Sequence, residues 1–366
     1  MIWFGNSDVA AFFNSWYIHC TVNNMTKMNI SSRNVAEVLA SLPHVTVDVQ
    51  KDEHLLVHVA GHFVALQVLT RASGFPRDVR EAVWQAQQGI GEGEQLLLCV
   101  PIMSPGSKEW LQQQGVGYLD AQGNLFLTAD GIYILREAAQ SSARSSLPAE
   151  TNIYRGRATQ VLAALLHAPE RSWHITELAQ EAKVAGGTAL RVCDMLEKLL
   201  LMKREGRGPQ SLRQLPEPGK LLDAWAEKYH LDVFLIHRYY RWMGELDKLA
   251  GTIGSAAEGQ GSAYAITLGS GALHRAPFLT QVEQTALWLP KGVDVERLAQ
   301  GCRLQPAEEG PNVLLLSARD EAPFLYRQKV DDLWVASDIQ LYLDLWASAG
   351  RGREQAEHLR RERIGF

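Results

Sequence analysis

At 366 residues the chain is long enough for two or three domains that each bury a core. Its 46% apolar and 21% charged residues are those of a soluble globular protein, and its net charge of -5 excludes one that coats nucleic acid with its whole surface. Any contact with nucleic acid must come from a local patch.

The four cysteines, Cys20, Cys99, Cys193 and Cys302, are scattered without C-x-x-C spacing, and read as free thiols of a reducing cytoplasm. The first two dozen residues are rich in aromatics but interrupted by Asn6, Asp8, Asn14 and His19. They have no basic lead and no apolar run of spanning length, so neither a signal peptide nor a membrane helix is expected. Met25 or Met28 is an alternative start to Met1.

From Val35 a helix (VAEVLASL) leads into three apolar runs, 45 to 49, 54 to 60 and 62 to 70, that read as an antiparallel meander. A helix follows from Arg77, with Val79, Val83 and Ala86 at helical spacing, and then comes a continuous apolar strand, QLLLCVP. The glycine-rich run 89 to 93 between them sits in the reverse order of a phosphate loop and reads as a turn. A second helix (SKEWLQQQG) and two more strands, GYLDAQGNLFL and GIYILR, close an α/β domain near Arg136. Asp48, Glu53 and VALQV faintly resemble a metal-dependent nuclease core, but Leu66 and Val68 flank Gln67 where such a core needs an acid and a lysine two positions apart. His54, His58 and His62 recur every four residues in strand and turn, a spacing that does not gather a metal shell there. The small, polar stretch 138–152 is a linker by composition.

The central unit carries the clearest pattern. Ala158, Val161, Leu162, Leu165 and Leu166 form one helical stripe stopped by Pro169. A second helix follows with Ile175, Leu178, Ala179 and Ala182 and Thr176 as N-cap, and then a turn, 184–187, with two glycines free to take unusual backbone angles. The third helix buries Ala189, Val192, Cys193, Leu196, Leu199 and Leu200, which leaves Thr188 and Arg191 on one outward face. Two strand-like pieces, LMKRE and SLRQL, flank a basic Gly-Pro tip. Three helices and a basic hairpin are the order of a winged helix-turn-helix. Thr188 and Arg191 are the expected base readers, Lys203, Arg204, Arg207 and Arg213 the expected phosphate or minor-groove contacts, and Arg155 and Arg157 reach flanking phosphates. Residues 151–215 hold ten Lys or Arg against six Asp or Glu, a local balance of +4 in a chain of -5.

After Pro218 helices and strands alternate: GKLLDAWAEKY, GELDKLAGTI, SAYAITL, VEQTALWL, VDVERLAQ, NVLLLS and a terminal helical stretch. A Gly269-Ser270 turn after an apolar strand is the place where nucleotidyltransferases hold nucleotide phosphates, with two carboxylates on the next strand for the metal. Here that strand offers Glu283 with Thr285 in place of a partner acid, so a fold without its metal site is expected.

The expected organisation is therefore a multidomain α/β protein: an extension over 1–34, an N-terminal α/β restriction-endonuclease-like domain over 35–137, the linker 138–152, a winged helix-turn-helix over 153–216 and an α/β nucleotidyltransferase-like domain over 217–366. Both outer domains are expected to be inactive, with no catalytic residue, metal or cofactor. The competing expectation is a nuclease or nucleotidyltransferase delivered to its substrate by the winged helix.

Three segments, LLLCVPIMSPGSKEWLQQQGVGYLDAQGNLFL, SAYAITLGSGAL and WVASDIQLYLDLWASAGRGREQAEHLR, resemble the AbiEi-type antitoxins of type IV toxin-antitoxin systems. GYLDAQGN and QLYLDLW followed by GRG are the most specific parts. The resemblance implies a cytoplasmic bacterial transcriptional regulator that represses its own operon through double-stranded operator DNA, with two copies on one site as an option. It also implies opposition to a nucleotidyltransferase-like toxin without tight complex formation. The mid-chain winged helix departs from members that carry it at the N-terminus, and points to a longer subgroup with an added nuclease-like domain.

Overall fold

The computed structural model describes residues 31–50, 54–138, 153–242, 246–278 and 282–366. By internal contacts the chain divides into two compact units, residues 1–146 with the short stretch 198–200, and residues 147–197 with 201–366. Residues 1–30 of the expected extension, 139–152 of the expected linker and Glu53 lie outside the described residues, while the end of the extension, from Ser32, already belongs to the first helix.

In the first unit a helix, α1 (Ser32–Ala40), precedes the meander β1 (Val45–Val49), β2 (His54–Val59) and β3 (His62–Thr70). Then follow α2 (Pro76–Gln87), β4 (Glu94–Val100), α3 (Pro105–Gln113) and strands β5 (Gly117–Asp120), β6 (Leu125–Ala129) and β7 (Ile132–Arg136). The strands lie side by side in chain order, antiparallel except that β4 is parallel to both β3 and β5. Each parallel step needs a crossover, and α2 and α3 supply it.

The apolar run of β4 follows from its cover. Leu97 and Cys99 pack with Val35 and Leu39 of α1 on one face, while Leu96, Leu98 and Val100 pack with Val79 and Val83 of α2 and Leu111 of α3 on the other. A strand buried on both faces has no place for alternation. GYLDAQGN makes a closed turn: the buried Asp120 accepts the backbone N–H of Gln122 and of Asn124, both at 3.0 Å, and the Asn124 amide at 2.8 Å, with Gly123 in the left-handed region at φ +88. The three histidines stay apart in their interactions, His54 on Glu94 at 2.9 Å, His58 on Asp48 at 3.5 Å and His62 beside Gly131.

The second unit begins with α4 (Ala158–His167), α5 (Ile175–Glu181), α6 (Gly186–Lys198) and the hairpin β8 (Lys203–Glu205) and β9 (Leu212–Gln214). Then come α7 (Pro218–Ala226), β10 (Leu235–Tyr240), α8 (Leu246–Gly259), β11 (Ala265–Thr267), α9 (Leu268–Arg275), β12 (Thr285–Leu289), α10 (Val295–Gly301), β13 (Gln305–Pro306) and β14 (Val313–Ser317). The hairpin β15 (Gln328–Val330) and β16 (Leu333–Val335) and helices α11 (Asp338–Trp346) and α12 (Gly352–Leu359) complete it. The mixed sheet runs β13-β10-β14-β12-β11-β16-β15. Strand β10 and the β15–β16 hairpin were not expected, because LIHRYY and QKV lack a clean alternation.

Helix α11 is the internal axis of this unit. Ile339 to Leu345 are all buried, and α11 packs against α4, α7, α9 and α12. A helix covered on every side is apolar all round. Its two exceptions, Gln340 and Asp344, lie one turn apart and share a polar hub. The Asp344 carboxylate accepts hydrogen bonds from Tyr229 Oη at 2.6 Å, Gln340 Nε2 at 2.8 Å, Trp288 Nε1 at 2.7 Å and the Thr267 hydroxyl. Burial pushes its pKa above the ordinary carboxylate value, and the four donors pull it back. GRG closes the next corner: a Cβ on Gly352 would collide with the Leu345 carbonyl and Ser348 Oγ, so only glycine lets α12 fold back on α11.

Replacing Asp344 by Asn keeps the shape but turns one acceptor into a donor facing donors. Chemical unfolding of the full chain is expected to show a loss of roughly 3 kcal/mol for Asp344→Asn. Asp223→Asn, which removes an exposed partner of Arg360, is expected to stay within about 0.5 kcal/mol of the parent.

Candidate nucleic-acid interface

The three helices and the hairpin of residues 153–215 are built as the apolar spacing requires, with Val161, Leu162, Leu165 and Leu166 of α4, Leu178 and Ala179 of α5 and Val192, Cys193 and Leu196 of α6 all buried. Met195 joins this core, whereas Leu199 is half-buried and Leu200 is exposed at φ +61, because α6 ends at Lys198. Burial lifts the Cys193 thiol to about 12, a packing role rather than a reactive one.

Two local expectations are corrected. Thr176 does not cap α5. The cap position is His174, with no side-chain cap bond, and Thr176 lies inside the helix. Gly186 and Gly187 do not take unusual angles: they are the first residues of α6, and Lys183, at φ +53, makes the turn instead. A Cβ at either glycine would meet nothing within 4 Å. The pair therefore leaves the start of α6 bare and open to close approach from outside.

Arg191 is exposed, its Nε donating to the Gly187 carbonyl at 3.2 Å, which lays the guanidinium back along the first turn of α6. Thr188 is half-buried on that turn, its N–H bonded to the Ala185 carbonyl at 2.8 Å. Lys203, Arg204 and Arg207 are exposed on β8 and the hairpin tip, and Arg155 and Arg157 are exposed ahead of α4.

Arg213 is different, and the expectation that it grips phosphate is overturned. It is 2% exposed, its Nε reaches Glu197 Oε1 at 3.3 Å, and its Nη1 donates to Ser211 Oγ at 2.6 Å. Strand β9 is central, not an edge: beyond β8 it also pairs with Trp173, through Trp173 N–H to Arg213 O at 2.8 Å and the return bond at 2.9 Å. Arg213 is thus the bolt between hairpin and α6. Trp173 was missed as a strand residue because a single bridging position leaves no period to read.

At the other end of the same helices, His167 stacks on Tyr326 with centroids 3.8 Å apart, and Tyr326 Oη donates to Glu181 at 2.8 Å. This joins α4 and α5 to the loop before β15. Burial holds the His167 pKa below its ordinary 6.5, with Glu181 and Asp338 opposing it more weakly.

The Gly-Ser turn expected further on is not formed. Gly269 and Ser270 sit in the first turn of α9, where the buried Ser270 Oγ donates to the Thr267 carbonyl at 2.8 Å and accepts the Ala286 N–H at 3.0 Å. The serine fastens α9 to β12, and Glu283 stands exposed ahead of that strand while Thr285 is buried.

Against protein families, residues 214–364 match the model described as transcriptional regulator, AbiEi antitoxin, type IV TA system. That stretch is similar to the AbiEi antitoxin family. The AbiEi match begins at the last residue of β9 and contains the Asp344 hub, the Gly352 corner and the whole mixed sheet. Neither the curated proteins nor the solved structures gave a match to the chain. A regulatory antitoxin is what the matched family is, in agreement with the resemblance carried by QLYLDLW and GRG. No helix among the described residues is long and apolar enough to cross a membrane.

Two outcomes follow from this geometry. Arg213→Ala strands the 11%-exposed Glu197 carboxylate and is expected to lower stability by about 3 kcal/mol, whereas Arg207→Ala is expected to leave stability unchanged; parallel thermal melts would show it. A histidine held below its ordinary pKa is neutral in the folded state, so stability is complete above about pH 6.5 and falls as pH drops through the folded value. Melts between about pH 7.5 and 5 should show that decline, and His167→Gln should flatten it.

Proposed function

We propose that the chain is an autorepressing AbiEi-type antitoxin that reads operator DNA with residues 153–216 as a winged helix-turn-helix. The observation that carries this reading is the exposed cation set on the helix and hairpin, Arg191 at the start of α6 and Lys203, Arg204 and Arg207 on the hairpin, in a chain of net charge -5. The bare Gly186-Gly187 start of α6 supports it, since close approach of that helix end to a groove wall would meet no side chain. In this reading Thr188 and Arg191 contact base edges, Lys203, Arg204 and Arg207 neutralise phosphates, and Arg155 and Arg157 extend the track. Arg213 takes no part beyond holding the hairpin in place.

The outer regions are proposed to act without catalysis, the 35–137 region as a restriction-endonuclease-like scaffold and the 217–366 region as a nucleotidyltransferase-like one. The use of Ser270 as a strut supports the second half of that proposal. The cognate toxin, nucleotidyltransferase-like in its own chemistry, is opposed through a shared target and not through a stable complex.

With five exposed cations on phosphates, log K for operator DNA is expected to fall against log salt with a slope of about -4 to -5. Arg191→Ala is expected to cost about 1 to 3 kcal/mol on operator DNA and less on random duplex. Fluorescence anisotropy titrations at several salt concentrations measure both. A mutant that binds both duplexes as the parent does would remove Arg191 from the reading role.

A further inference from the structure

Within the second unit a cleft of about 110 Å³ opens between the start of α4 and the chain that leaves β14. Three cations line it, Arg155, Lys228 and Arg319, with His230 beside them and Asp320 as the one acid of the lining. Asp320 is engaged, one carboxylate oxygen accepting the Ala322 N–H at 3.0 Å. Arg155 and Lys228 have no acid partner among the described residues. Arg319 is held in place, donating to the Val233 carbonyl and lying over the Phe234 ring at 5.8 Å. Like charges gathered around a concave space raise each other's energy until an anion fills it.

Trp225, 1% exposed, forms part of the wall of the same cleft. The cleft also meets the N-terminal end of α4, a ten-residue helix whose cap residue supplies no side-chain bond, with Gly156 at φ +57 on the wall. That end adds partial positive charge to the same space.

We propose that this cleft is a binding site for a small phosphate-bearing molecule, its phosphoryl group held by Lys228, Arg155 and Arg319. The size admits a phosphoryl group with the rest of the molecule at the open mouth, beside Tyr154 and Phe234. A dianion suits three cations better than a carboxylate does, since it offers three acceptor oxygens. The site lies outside the helix and hairpin proposed to read DNA and does not depend on that reading. Arg155 is common to the two, and with Arg155 given to the cleft four exposed cations remain for DNA phosphates, with a salt slope of about -3.6.

Calorimetric titration of the full chain at constant ionic strength, with inorganic phosphate, AMP and chloride as separate arms, tests it. Saturable binding of phosphate or AMP in about the millimolar range or tighter is expected, with none for chloride. A stronger response to AMP than to phosphate assigns the mouth to a nucleotide. Lys228→Gln, a change at an exposed side chain, is expected to weaken binding about tenfold. Absence of saturable binding in the parent, or equal binding by Lys228→Gln, overturns the proposal. So does a Lys228→Gln variant that loses DNA affinity in a chain with no phosphate binding, which would assign the cleft to the DNA backbone.

Discussion

The second unit depends on one buried carboxylate. Asp344 draws donors from Gln340 on its own helix, from Thr267 at the end of β11, from Trp288 of β12 and from Tyr229 just after α7, so three groups remote in sequence and one neighbour converge on two oxygen atoms. A carboxylate taken out of water is costly unless all its acceptor sites are used. Meeting that condition fixes the register of α11 against the sheet. Because α11 also packs on α4, the first helix of the segment proposed to read DNA is positioned by the same interaction. The hub is thus the physical link between the AbiEi region and the helices ahead of it.

A second constraint acts on the hairpin. Strand β9 lies between β8 and the bridging Trp173, which turns Arg213 inward and ties it to Glu197. The arginine that a sequence reader assigns to DNA is spent on holding the hairpin to α6, and the cations left for solvent lie on β8 and the tip. One cation thus anchors the hairpin to α6 while the others stay on the surface.

How much was legible in the sequence varies with the kind of signal. The meander, the buried strand β4 and the three helices of the central unit each carry an unbroken period of two or of about three and a half, or a fully apolar run, and were read with bounds close to those observed. Strand β10 and the β15–β16 hairpin were not, because their residues alternate neither in polarity nor in size. Glycine misled twice, at 186–187 and at 269, since both sites lie in the first turn of a helix where glycine is tolerated as readily as in a turn. The hub was only half visible: Gln340 and Asp344 stand four apart in an apolar helix, but Tyr229, Thr267 and Trp288 carry no mark that they face them. Among the candidate site residues, exposure separates Arg204 from Arg213, and exposure depends on a third strand element that one tryptophan supplies.

The central claim is that the exposed cations of α6 and the β8–β9 hairpin form a DNA-reading surface serving this protein's own promoter. The most direct measurement is the affinity of the full chain for a duplex taken from upstream of its own reading frame against a composition-matched random duplex, at about 0.15 M salt. The account predicts a preference of about a thousandfold or more for the upstream duplex. Equal affinity for the two would contradict it.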